Sequence, residues 1–161
     1  MDELLKKISS YNLFNFLLPG IIFVVLVSRL FRYPVPDMSI LTGAFTCYFV
    51  GMVISRFGSL MIEPFLKWIK FIDLAEYDDF VVASKKDEKL EVLLEVSNTF
   101  RTFCALFALL LLLTVYLRII EKFPNLTEWH GLILAVILLA VFLFSFRKQT
   151  SYLTKRIKVS K

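Results

Sequence analysis

Histidine and cysteine are scarce in this chain, which has one histidine and two cysteines among 161 residues, of which only 20% are charged. Active sites built on histidine pairs, zinc sites and disulfide frameworks all need more of these residues. The sequence also lacks a phosphate-binding loop, a dinucleotide glycine pattern and a nucleophile elbow. We therefore expect a protein that is not an enzyme and that needs no cofactor or metal.

Apolar residues are abundant instead: 58% of the chain is hydrophobic, with 17 phenylalanines and a mean hydropathy of +0.71. Soluble domains have about 45–50% apolar residues. Charged residues bound four uncharged stretches, each close to the roughly 20 residues that a helix needs to cross a bilayer. The sequence predicts an all-α integral membrane protein, a single four-helix domain with spans at about 9–28, 38–57, 101–120 and 130–147.

Lysine and arginine are distributed unevenly about these spans. Fifteen of them lie at the amino end, between Arg56 and Arg101, or in the tail 147–161, and four lie on the other side. Positive residues favour the cytoplasmic side. We expect both termini and a helical cytoplasmic segment at about 64–100 to lie in the cytoplasm.

Small residues recur at every fourth position of the second span. Such a ribbon lets two helix backbones approach closely, which is how helices associate in lipid. The partner could be a helix of the same chain, which a short four-helix protein favours, or a neighbouring copy. The predicted helix-packing residues are Gly43, Cys47, Gly51, Ser55 and Ser59.

The first span contains the segment NLFNFLLPG at 12–20. Pro19 removes a backbone donor and Gly20 loosens the turn, so we expect a kink. The segment could be a polar helix start with a tolerated proline, or a flexible inner gate.

Basic and aromatic residues suggest contact with lipid on the cytoplasmic side. The stretch FLKWIKFIDL at 65–74 is typical of a helix in the headgroup region, and the tail after Phe146 carries six positive charges and no acid. The tail could instead dock on the acidic middle segment, whereas nucleic acid is the least favoured partner. The predicted anchors are Trp68, Lys67, Lys70, Arg147, Lys148, Lys155 and Arg156.

Ser84 is a candidate N-cap, from which a helix could run unbroken into the third span. About ten to fifteen residues would project roughly 15–22 Å into the cytoplasm at 1.5 Å per residue, available to pack on copies of the chain or on a partner protein.

Charged and amide side chains gather at the inner end of the second and third spans. Helical spacing places several of them at one depth, where they could form structural ion pairs, a polar constriction or a latch that responds to a partner. These residues are Arg56, Glu63, Glu95, Asn98 and Arg101.

The segments YNLFNFLLPG at 11–20 and NTFR at 98–101 resemble small four-span bacterial membrane proteins of antiphage systems. The nearest classes are the membrane subunit of Kiwa systems and the membrane accessories of Cas13b loci. The resemblance implies an oligomeric protein of the bacterial inner membrane that senses infection or perturbs the membrane when a cytoplasmic partner signals.

Three functions follow from these features. The first is an oligomeric membrane effector or sensor, pore-forming or membrane-perturbing, which is coupled to a cytoplasmic partner and bound to anionic lipid. The second is a non-conducting scaffold or assembly subunit. The third is a small transporter, which is disfavoured because the deep parts of the spans carry no charge.

Overall fold

The computed structural model describes residues 13–34, 37–87 and 89–160, and these residues form helices and connecting turns without any strand. The all-α class predicted from the sequence is confirmed over this part of the chain. Helix α1 consists of a π-helical turn, Leu13–Leu17, followed by Leu18–Phe31, and helix α2 is Ile40–Trp68, with a π-helical turn at Gly58–Ile62. Helix α3 is Tyr77–Ser84 and helix α4 is Lys89–Lys122. Helix α5 is His130–Ser160 and is preceded by the 3₁₀ turn Pro124–Trp129.

Three of these helices are long and apolar enough to cross a membrane: Ile40–Trp68, Lys89–Lys122 and Pro124–Val159. The apolar helix Asn15–Phe31 is shorter, and the predicted first span begins outside the described residues. The chain therefore has the helices of a membrane protein. About half of the large apolar side chains in the described part of the chain are exposed, as expected when hydrocarbon rather than water is the solvent.

The packed interior lies where α2 crosses α4. Ile54 on α2 is buried against Ala105, Leu106 and Leu110 on α4, and side chains of α1 such as Phe23 and Leu26 cover this cluster. The α2 helix also contacts α1 and α5, so it is the central element of the described structure.

Local sequence accounts for where α1 ends and α2 begins. Arg32 adopts the left-handed conformation at φ 57°, and Pro34 follows two residues later, which prevents the helix from continuing. At the start of α2 the Ser39 hydroxyl group accepts a hydrogen bond from the backbone N–H of Thr42 at 3.2 Å.

The helix predicted over 65–74 is wrong in its second half, because α2 ends at Trp68. Lys70 is left-handed, with φ 57°. Its N–H donates to the Lys67 carbonyl at 3.0 Å, and the N–H of Phe71 donates to the Leu66 carbonyl at 2.9 Å. This pair of bonds is a Schellman motif, which closes a helix and usually has glycine at the left-handed position.

Replacing Lys70 by glycine should therefore stabilise the end of α2. A left-handed residue with a side chain costs about 1–2 kcal/mol, and glycine removes that cost. We expect Lys70→Gly to raise the free energy of unfolding by about 1 kcal/mol, measured by denaturant titration in detergent. Lys67→Gly is the control and should lower it by about the same amount, since glycine weakens a helix interior. Equal effects of the two substitutions would refute the Schellman assignment.

The start of the third long helix also differs from the prediction. Ser84 is the last residue of α3 and donates to the Val81 carbonyl at 3.2 Å, rather than capping a new helix. The Asp87 carboxylate accepts from the N–H of Lys89 at 2.9 Å, at the first residue of α4. Beyond the predicted fourth span, α5 continues as a helix through the basic tail to Ser160.

Candidate functional site: an ion cluster that joins three helices

One carboxylate lies between two cations where α2, α4 and α5 meet. Oε2 of Glu63 lies 2.6 Å from Nη1 of Arg101, and Oε1 lies 3.2 Å from Nζ of Lys148. The three side chains are largely buried, with exposed fractions of 13% for Glu63, 23% for Arg101 and 25% for Lys148. We call this group the Glu63 cluster. It carries a net positive charge, because one acid faces two bases.

Lys148 also completes the backbone hydrogen bonding of α2. In the π-helical turn the N–H of Glu63 donates to the Gly58 carbonyl, and Pro64 has no N–H. The Ser59 carbonyl therefore loses the helical donors at positions 63 and 64, and a bare carbonyl in an apolar setting is costly. Lys148 donates to this carbonyl at 2.7 Å and to the Ser59 hydroxyl group at 2.8 Å. Because the Glu63 carboxylate group also accepts from Lys148, each of the three ammonium protons of Lys148 has a hydrogen-bond acceptor.

A chain of aromatic contacts connects the Glu63 cluster to α3. The ammonium group of Lys148 lies 5.8 Å from the centre of the Tyr152 ring, one turn further along α5. The Tyr152 ring stacks on Tyr77, the first residue of α3, with ring centres 4.8 Å apart. Tyr152 is therefore the one side chain that lies between Tyr77 of α3 and Lys148 in this series of contacts.

A second polar group, fully enclosed, lies between α1, α2 and α4. The Thr102 hydroxyl oxygen lies 2.8 Å from the Asn98 carbonyl oxygen, 3.1 Å from Oδ1 of Asn15 and 3.3 Å from Oγ of Ser55. Asn15, Ser55 and Thr102 are all at most 5% exposed. Polar side chains away from water stabilise one another only in a defined arrangement, so this triad fixes the rotation of the three helices.

Glycines bring the backbones of α1 and α2 into direct contact. A Cβ atom at Gly51 would overlap the carbonyl oxygen of Phe16, and one at Gly20 would overlap the carbonyl oxygen of Cys47. No side chain fits between the helices at this crossing. Gly20, which the sequence analysis assigned to a kink, is thus a contact residue, and the neighbouring Pro19 is buried.

The predicted small-residue ribbon contributes to three different contacts. Cys47 and Gly51 face α1, Ser55 belongs to the polar triad, and Ser59 binds Lys148. Gly43 differs, since a Cβ atom there would meet nothing within 4 Å. Within the described structure, four of the five residues therefore pack against other helices of the same chain.

Of the residues predicted at the inner end of the spans, Glu63 and Arg101 meet in the Glu63 cluster. Arg56 is half-buried and Glu95 is exposed, and neither forms an ion pair with another described residue. Asn98 lies close by and contributes its backbone carbonyl to the polar triad.

The predicted lipid anchors include one residue that the structure places elsewhere. The ammonium group of Lys148 binds Glu63 and Ser59 of α2. Lys148 is held there because the Ser59 carbonyl group and the Glu63 carboxylate group of α2 both accept hydrogen bonds from it. The remaining anchors lie on the surface: Trp68, Lys67, Lys70, Arg147, Lys155 and Arg156.

Thr102 lies beside the residues predicted at the inner end of the third span, whereas Asn15, Lys148 and the tyrosine pair were not predicted to join them. A usable signal existed for two of them, because Asn15 and Thr102 are polar residues at the ends of apolar stretches. Lys148 and the tyrosines gave no such signal, since their partners lie more than 70 residues away in the chain.

Comparison of the chain with protein-family models, with curated proteins and with solved structures finds no match to any of them. Among the residues that the structure describes, no group of three or more histidine, cysteine, aspartate or glutamate side chains is arranged to hold a metal ion.

Proposed function

We propose that this protein is a non-enzymatic, oligomeric membrane sensor or effector in which the Glu63 cluster is a latch between a cytoplasmic helical segment and the membrane spans. The observation that carries the proposal is the position of Glu63, whose carboxylate joins α2 to both α4 and α5. In the proposed latch these ion pairs are paired in one state and separated in the other, which is what a switching element requires.

The route from a partner to the latch runs through α3. Tyr77 stacks on Tyr152, and Tyr152 lies beside Lys148. A protein that binds and moves α3 would therefore disturb Lys148, which forms an ion pair with Glu63. The beginning of α4 offers a further surface, because five of its large apolar side chains are exposed before the first arginine: Val92, Leu93, Leu94, Val96 and Phe100. These residues suit a cytoplasmic partner or another copy of the chain.

The membrane arrangement we propose has four spans with both termini in the cytoplasm of a bacterial inner membrane. Helical residues 13–31 would span about 28 Å at 1.5 Å per residue, close to the hydrocarbon thickness. The excess of basic residues at the amino end, in the middle segment and in the tail supports this orientation. The resemblance of segments 11–20 and 98–101 to antiphage membrane proteins supports a role in defence against phage.

A second candidate is a non-conducting scaffold subunit. The backbone contact between Gly20 and Gly51 favours it, because two helices in such close contact form a static unit. In that case the Glu63 cluster would only hold the subunit together.

Arg101→Gln separates the two functions. In a bacterial host, a voltage-sensitive dye would report the membrane potential, and the mass of the gently extracted tagged complex would report assembly. A latch predicts that Arg101→Gln depolarises the cells without a trigger while the complex keeps its mass. Lys158→Gln, which removes an exposed positive charge from the tail, should change neither.

The opposite pattern contradicts the latch. If Arg101→Gln reduces the mass of the complex and leaves the potential unchanged, the cluster is a structural contact and the scaffold is correct. If both quantities match those of the unmodified protein, Arg101 has neither role.

A further inference from the structure

A groove of about 760 Å³ runs between α2 and α5 on the surface of the bundle. Its walls are apolar along most of its length, with Phe57 and Met61 on α2 and Ile137, Ala140 and Phe144 on α5. Its volume lies within the range of about 300–1,000 Å³ that is typical of small-molecule sites.

Basic residues lie at one end of this groove. Arg147 and Lys148 lie one turn beyond Phe144 on α5, with Ser151 one turn further. Arg147 is exposed and forms no ion pair with another described residue, and the sequence contains no acid after Phe146. The groove is therefore apolar at one end and cationic at the other.

The dimensions match one leaflet of a bilayer. From Ile137 to Arg147 the groove follows α5 for about 15 Å, at 1.5 Å per residue. Half of a hydrocarbon core of about 30 Å is about 15 Å. A basic residue placed just beyond that depth lies at the level of lipid phosphate groups, where arginine binds phosphate with paired hydrogen bonds.

We propose that this groove binds one anionic phospholipid, with an acyl chain along Ile137, Ala140 and Phe144 and the phosphate group at Arg147, next to Lys148. The groove is apolar along Ile137, Ala140 and Phe144 and basic at Arg147, which is the order of acyl chain and phosphate group in an anionic phospholipid. The lipid brings a negative charge to the place where the groove is positive and an acyl chain to the place where it is apolar.

Lys148 links this site to the Glu63 cluster, because it both lines the groove and binds Glu63. A phosphate group in the groove competes with Glu63 for the same ammonium group. This regulatory step rests on the proposed function, but lipid binding does not require it.

Native mass spectrometry of the full chain in detergent tests the binding directly. The probes are phosphatidylglycerol, which is anionic, and phosphatidylcholine, which is zwitterionic. We expect one phosphatidylglycerol per chain to survive dilution of the lipid, and phosphatidylcholine to be lost. Arg147→Gln should weaken phosphatidylglycerol binding about tenfold, the effect of losing one charge-assisted contact.

Two further variants complete the test. Ala140→Phe fills the apolar part of the groove and should abolish retention of the lipid while the circular dichroism and melting temperature stay unchanged. Lys158→Gln removes an equal charge outside the groove and should bind phosphatidylglycerol like the unmodified chain. Equal retention of the two lipids, binding that Arg147→Gln leaves unaltered, or a dimer without lipid would each overturn the proposal. The experiment involves no membrane potential, so its failure is distinguishable from failure of the latch.

Discussion

Gly51→Ala should separate α1 from α2 and produce a large loss of stability. The added methyl group would occupy the position of the Phe16 carbonyl oxygen, and backbone cannot move aside as a flexible side chain can. Overpacking a close contact costs typically about 1–3 kcal/mol, and a clash with backbone belongs at the upper end. At about 2–4 °C per kcal/mol, we expect the melting temperature in detergent to fall by about 10 °C.

Gly43→Ala is the matched control. It makes the same change in the same helix, two ribbon positions earlier, where a Cβ atom meets nothing within 4 Å. We expect a melting temperature that is unchanged or slightly higher, because alanine favours the helical conformation. If Gly43→Ala and Gly51→Ala lower the melting temperature equally, the close crossing of α1 and α2 is incorrect.

Glu63→Gln should be the second strongly destabilising substitution. It removes the only counter-charge that the described structure gives to Arg101 and Lys148, and leaves two largely buried cations facing each other. Breaking a buried ion pair by removing one partner costs about 3–5 kcal/mol, and the partial exposure of the cations places this case near the lower value. Thermal unfolding in detergent measures the loss.

Three comparisons make this prediction specific. Glu95→Gln, at an exposed carboxylate on α4, should leave the melting temperature nearly unchanged. Arg101→Gln should cost less than Glu63→Gln, because Lys148 still neutralises the remaining carboxylate. The double variant Glu63→Gln/Arg101→Gln should recover part of the loss, since it removes the repulsion between the cations and leaves the hydrogen bonds of Lys148 to Ser59 in place. A double variant less stable than Glu63→Gln alone would rule out this electrostatic explanation.

The helices themselves could largely be predicted from the sequence. Uncharged stretches between charged residues mark the long helices, since lipid favours unbroken apolar segments. Two boundaries could not be predicted. At the end of α2, no glycine near Lys70 indicates a left-handed residue. At the start of α4, both Ser84 and Asp87 are of a type that caps helices, and the sequence does not distinguish between them.

The site was predictable only where its partners are local or of a recognisable type. The four-residue repeat of small side chains indicated the close packing at Gly51, and the charges of Glu63 and Arg101 suggested a meeting of α2 and α4. The role of Lys148 in the site could not be predicted from the sequence. It depends on the Ser59 carbonyl group, which the π-helical turn and Pro64 leave without a backbone donor. The spacing of residues along a helix does not show which backbone carbonyl group lacks a hydrogen-bond donor.

A distance between spin labels on α3 and α5 tests most directly whether the Glu63 cluster is coupled to α3, as the proposed latch requires. The labels would replace Asp79 on α3 and Leu153 on α5, both exposed, in a chain whose native cysteines are changed to serine. We expect one narrow distance distribution in this parent, a longer and broader one in Lys148→Gln, and no change in Lys158→Gln. An unaltered distribution in Lys148→Gln would show that α3 and the cluster are independent, which contradicts the latch.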